Sequence, residues 1–211
     1  MTVYILGDGA HGRDLADIVK AAGAVPSMHD DHNGQPLPAD VSFLIGIADP
    51  HARAARDYPG NQPYSVRHPS VIGFAAQSFG CVVGAGTTIG PGVELGRHAH
   101  IGAGCTLTRT TIGDYCQVAP GVDIAGDVTI GDRVFVGVGA TIRNLVTIGD
   151  DAVIGAGSVV LHDVPAGATV VGIPAKVISI APHDYIGTVG IDSCHTCHGA
   201  SSDPAHDRRA A

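Results

Sequence analysis

The chain has 211 residues, 45% of them apolar, with 30 glycines, no tryptophan and a formal net charge of −8. That length holds one large domain or two small ones, and a glycine-rich, aromatic-poor composition suits a repeated backbone shape better than a packed globule. The acidic balance, with no Lys/Arg cluster, argues against nucleic acid or an anionic membrane as partner. No apolar run approaches the ~20 residues that span a bilayer, so no membrane insertion is expected. The start MTVYILGDGAHG lacks the charged region and cleavage site of a signal peptide, which predicts a cytoplasmic protein with its five cysteines reduced.

The first predicted element is a short apolar strand in TVYILG. A helix follows in DGAHGRDLADIVKAAG, where Leu15, Ile18 and Val19 recur at helical spacing. Gly7, Gly9 and Gly12 form G-x-G-x-x-G between strand and helix, the context in which this motif carries meaning. Glycines let the turn approach a phosphate, and the helix N-terminus supplies N–H groups and positive potential. A tight turn without a ligand is the competing reading. A second strand ends near PSMHDDHNG, with Asp30 and Asp31 placed to meet a ribose or base. VSFLIGIADPHARAAR is a further strand leading into a helix. This is too short for a full dinucleotide fold and about right for one nucleotide.

From Val83 onward an aliphatic residue returns every six positions: Ile89, Leu95, Ile101 and Leu107. One step of five reaches Ile112, and sixes resume through Val118, Ile124, Ile130, Val136, Ile142, Ile148, Ile154 and Val160. Two residues before each aliphatic stands a small or β-branched residue, a column that includes Cys81, Cys105 and Cys116. A fixed short period means one unit stacked on itself. Hexapeptide repeats of this form resemble the left-handed parallel β-helix, in which three hexads make one triangular coil, the aliphatic points into the prism and glycines turn the corners. The handedness rests on the resemblance, because left-handed crossovers break the usual rule. The three column cysteines are expected to be buried packing residues.

After GIPAKVI some thirty residues continue, and they contain CHTCH, the C-x-x-C-H signature of c-type haem attachment. Without an export signal that chemistry is disfavoured. Cys194, Cys197 and His198, with His183, His195 or His206, form a candidate Zn²⁺ set, and a solvated extension is the plainer reading. No metal is expected in the core.

YILGDGAHGRDLADI, HDDHNG, FLIGIADPHAR, RHPSVIG, the hexads and VVGIPAKVI occur in the same order in sugar acyltransferases. The chain resembles the sialic-acid O-acetyltransferases and the N-acetyltransferases of nucleotide-linked 4-amino sugars over residues 2 to about 180. The resemblance implies a Rossmann-like nucleotide-sugar domain at 1–70, a left-handed β-helix acyltransferase domain at 71–180 and a C-terminal extension at 181–211. It further implies a homotrimer, acetyl-CoA as co-substrate and a nucleotide-linked sugar as acceptor. By position, the nucleotide site is Gly7, Gly9, His11, Gly12 and Asp30. The CoA groove passes Gly126, Val138, Ala156 and Lys176, the last suited to pair with a CoA phosphate.

The resemblance departs at the coil with the missing residue. The family places a histidine base in a pattern like V-x-H-D/E-C-x-I-G-D and a second histidine in I-G-D-x-x-H. Here LTRTTIGD sets Arg109 and Thr110 at the first place, and IGDYCQV sets Gln117 at the second. Arginine stays protonated near neutral pH and cannot be the base. The missing residue is expected to tighten the corner or shift the rung. The nearest replacements are His100 and, behind it, His98. His100 precedes Ile101 as Gln117 precedes Val118, so the two are expected one rung apart, about 4.8 Å. Three readings stay open at this stage. One is an acyltransfer enzyme with a relocated base or one relying on proximity, its candidates His100, Gln117 and Arg109. The second is a non-catalytic nucleotide-sugar or CoA-binding protein. The third is other chemistry, such as a β-helix carbonic anhydrase, which needs three converging ligands where the prism offers only His98 and His100.

Overall fold

The computed structural model describes residues 1–29, 37–38, 41–56, 62–73, 76–77 and 79–180. Strand β1 (Thr2–Leu6) leads into helix α1 (Ala10–Ala21), strands β2 (Val25–His29) and β3 (Ser42–Ile45), the short helix α2 (Pro50–Ala54) and strand β4 (Gln62–Pro63). The four strands form a parallel sheet in the order β2-β1-β3-β4. Alternation sorts the side chains to its two faces. Val3, Ile5 and Leu44 meet Leu15 and Val19 of α1, and the same cluster takes in Val66 and Val82 of the next section. Leu6, Phe43 and Ile45 pack on the opposite face. Helix α1 is thereby sandwiched between the front sheet and the first rungs of the β-helix.

The turn from β1 to α1 works only with glycine. Gly7 has φ +95°, and a Cβ on Gly12 would stand 2.0 Å from the Gly7 carbonyl oxygen. Gly46, at the end of β3, crosses the same point, its Cβ position 2.7 Å from Gly12 Cα.

Residues 66–180 wind into a prism of parallel sheets with five, eight and six strands. Every aliphatic of the six-residue series from Val83 to Val160 is buried inside, and the preceding small column packs with it. Each buried Val, Leu or Ile contributes roughly 1.5–3 kcal/mol relative to exposure. The column cysteines are interior packing groups as expected. The Cys116 thiol donates to the Gly131 carbonyl at 2.9 Å, and burial pushes its pKa up to about 12. Each IGD aspartate on one edge accepts from the backbone one coil earlier: Asp114 from Arg97 N–H, Asp132 from Asp114 N–H and Asp150 from Asp132 N–H.

The missing residue is absorbed at a corner and the rungs do not shift. Leu95 still pairs with Ile112, and Leu107 with Ile124. Arg109 makes the left-handed turn at φ +43°, donates its N–H to the Pro91 carbonyl and accepts from Asp127 N–H. Ala168–Val171 and Lys176–Ile180 then close the prism as an antiparallel pair. No helix among the described residues is long and apolar enough to cross a membrane.

Candidate functional site

A cleft of about 400 Å³ opens where α1 crosses the eight-stranded face. From α1 come His11, Asp14, Leu15 and Ile18, whose i, i+3, i+4, i+7 spacing puts them on one side of the helix. The prism contributes Val82, His100 and Gln117 from successive rungs, with Ala85, Ala103 and Pro120 from the adjoining edge. The volume lies within the range of ordinary small-molecule sites.

His11 and His100 meet at the floor. His11 Nε2 lies 2.9 Å from His100 Nδ1, so the two rings share one proton. Burial, followed by the nearby Arg53 charge, lowers His11 to about 3. His100 is driven well below the usual histidine value by burial, then by Arg53, His11 and His98. Both rings are therefore neutral at pH 7, one donating the shared N–H and the other accepting it. His100 Nε2 is buried without a hydrogen-bond partner among the described residues. His100 stands directly opposite Gln117 in the parallel register, as its spacing predicts.

Arg53 is the residue the sequence did not single out. Asp49 caps α2 by accepting from Ala52 N–H at 2.7 Å, and this fixes the helix that carries the arginine. Arg53 is fully buried. Its guanidinium donates to the carbonyls of Ile47, Ala48, His98 and Cys116, and to Gln117 Oε1. Burial lowers its pKa to about 9, which leaves it charged at neutral pH. The only signal was an arginine in a capped helix; its partners on the prism lie 45 to 64 residues away in the chain.

His98 does not line the cleft. It is fully buried at φ +51°, with Tyr115 stacked at 5.6 Å and Phe43 at 5.8 Å between ring centroids. Arg109 sits on a different edge from His100. There it holds Asp127 through two bonds of 3.0 and 3.2 Å, against Gly126. Thr110 faces inward and is buried. Within one chain, His100 and Gln117 are thus brought together and Arg109 is not.

Val138 and Ala156 stand on the edge that bounds the cleft. Gly121 N–H bonds to Ala103 O, Gly139 N–H to Pro120 O and Gly157 N–H to Val138 O, so Ala103, Pro120, Val138 and Ala156 form one column. Val138 is 57% exposed. Lys176 is exposed beside Val171 at the far end. Gly7, Gly9 and Gly12 form the α1 entry, whose N-terminus has no side-chain cap and no acidic residue in its first turn. Asp30, Cys194, Cys197 and His198 lie outside the described residues. Among the described residues no group of three or more His, Cys, Asp or Glu is placed to hold a metal ion.

The bacterial transferase hexapeptide (six repeats) family matches residues 79–109 and 109–144, and the hexapeptide repeat of succinyl-transferase matches 127–162. Among solved structures, PerB from Caulobacter crescentus, in complex with CoA and GDP-perosamine, is 29% identical. That match covers 85% of this chain and 98% of PerB, with a TM-score of 0.77. The acetyltransferase domain of PglB from Neisseria gonorrhoeae FA1090, in complex with acetyl coenzyme A, is 25% identical over 84% and 98% of the two chains, with a TM-score of 0.75. WeeI from Acinetobacter baumannii AYE shares the fold at 20% identity, covering 84% and 100% with a TM-score of 0.57. No curated protein matches the chain in sequence. The hexad repeats and the parallel β-helix they build carry the hexapeptide signature of bacterial transferases over residues 79–162, and the chain as a whole is similar to sugar acetyltransferases in sequence and fold.

Proposed function

We propose that the protein transfers an acetyl group from acetyl-CoA to an amino or hydroxyl group of a nucleotide-linked sugar. The observation that carries this reading is the His11–His100 pair, because it ties both substrates to one point. His11 belongs to the glycine turn at the α1 N-terminus, where backbone N–H groups suit a diphosphate. His100 faces the edge column that continues through Pro120 to Val138 and Ala156, a path for the pantetheine arm of CoA. A sugar held by its diphosphate at Gly7, Gly9 and Gly12 then extends toward the paired imidazoles. PerB and the PglB domain, whose structures hold CoA with GDP-perosamine and acetyl coenzyme A respectively, support both ligands.

In this reading residues 1–70 are a Rossmann-like nucleotide-sugar domain, with Asp30 at the ribose, and 71–180 a left-handed acyltransferase prism. The histidine pair is the general base, the relocated replacement for the family's missing histidine. Lys176 pairs with a CoA phosphate. Three copies associate so that the Arg109–Gly126 edge of one prism faces the Val138–Ala156 edge of its neighbour, which is how Arg109 and Gly126 enter a site that one chain does not complete.

The test is thiol release from acetyl-CoA with a panel of UDP- and GDP-linked amino sugars, wild type beside His100→Asn. We expect turnover in the wild type and a kcat lower by 10²–10⁴-fold in the variant, the usual worth of a general base. Turnover unchanged in His100→Asn removes the pair from catalysis. Sugar binding without thiol release favours the binding-protein reading.

A further inference from the structure

An arginine side chain offers only donors. The contact between Arg53 and Gln117 therefore turns the carboxamide oxygen of Gln117 inward and leaves its NH2 group to face away from the guanidinium. Gln117 lines the cleft and keeps 6% of its surface exposed. It stands one rung from His100, in parallel register. Arg53 is held by four backbone carbonyls besides, so the orientation of the amide is anchored in both the front section and the prism.

We infer that Gln117 is a catalytic residue, its NH2 group donating to the oxyanion that forms on the thioester carbonyl, and that Arg53 is the positioning residue that aims it. This rests on the acetyl-transfer reading above and assigns a part that the reading leaves open. In the step, the amine nitrogen's lone pair attacks the thioester carbon and the C=O π pair moves onto oxygen, where the Gln117 N–H meets it. The amine proton passes to the His11–His100 pair. The oxygen pair then re-forms the carbonyl, the C–S bond breaks, and the leaving sulfur takes the proton back as a free thiol. The products are the N-acetyl sugar and CoA. A fixed donor placed where charge develops costs no reorganisation at the moment of reaction.

Two substitutions at Gln117 separate this role from packing. Gln117→Glu keeps the size and an acceptor for Arg53, and loses the N–H. Gln117→Leu removes both polar groups. We expect kcat for thiol release to fall on the order of 10²–10³-fold in each, as for loss of an oxyanion donor, with little change in the KM of either substrate. Should Gln117→Leu not fold, judged by its thermal transition, Gln117→Glu carries the test alone. Arg53→Lys should lower kcat on its own and cost nothing more when added to Gln117→Leu, because it acts only through that amide. A kcat within about tenfold of wild type in a folded Gln117→Glu overturns the inference and leaves acetyl transfer standing. A wild type that releases no thiol with any sugar of the panel overturns acetyl transfer, and this assignment with it.

Discussion

At the residue scale the site is governed by burial. His11 and His100 lie beside a fully buried cation, and each ring is cheaper neutral than charged. In the unfolded chain a histidine takes its proton near pH 6.5, whereas His11 does so only at about 3 in the folded protein. The stability these residues contribute is therefore complete above pH 6.5 and is lost as pH falls toward 3. Each group adds a slope of up to about 1.4 kcal/mol per pH unit in that window. Thermal unfolding measured between pH 7.5 and 5 should show a marked fall in Tm, and His100→Asn should flatten it. A pH-independent Tm in the wild type would contradict the buried, neutral pair. The spacing of the hexads placed His100 opposite Gln117 correctly. It could not show His11 as their partner, since 89 residues separate the two rings.

At the element scale, the β1–α1 turn and the shortened corner behave differently. The turn has no slack, because backbone meets backbone at Gly7, Gly12 and Gly46. Gly12→Ala should cost at least the roughly 1–3 kcal/mol of an overpacked site, read from chemical denaturation. Gly9→Ala meets nothing within 4 Å and should be far milder, so equal effects would refute the crossing argument. The corner at Arg109 does have slack. It drops a residue without moving the rungs: Arg109 makes the left-handed turn that one residue makes at each neighbouring corner, and the aliphatics on either side keep their register. That residue's side chain is exposed and paired to Asp127, an interaction worth little in water.

At the scale of the whole molecule, the two halves of the cleft come from segments far apart in the chain, and Arg53 joins them. The proposed acyl-donor residues lie on two edges of the prism, Gly126 on one and Val138 with Ala156 on the other. One chain cannot bring those edges together, so the proposed site requires neighbours. Sedimentation equilibrium should give three times the 21.3 kDa chain mass. Mixing inactive Arg109→Glu and His100→Asn subunits should restore part of the activity, since one interface in the mixed trimer would carry neither substitution. A monomer with full turnover would end this account.

The sequence by itself determined the prism. A six-residue period writes the same burial instruction at every coil, and each coil contacts only its neighbours, so no long-range information is needed to read it. It also determined the glycine turn at α1, where sterics act over a few residues. Only the tertiary structure decided the site. The His11–His100 contact, the Arg53 anchor and the orientation of Gln117 depend on how α1 and α2 dock on particular rungs. That docking is set by a surface fit between segments whose local patterns carry no trace of each other.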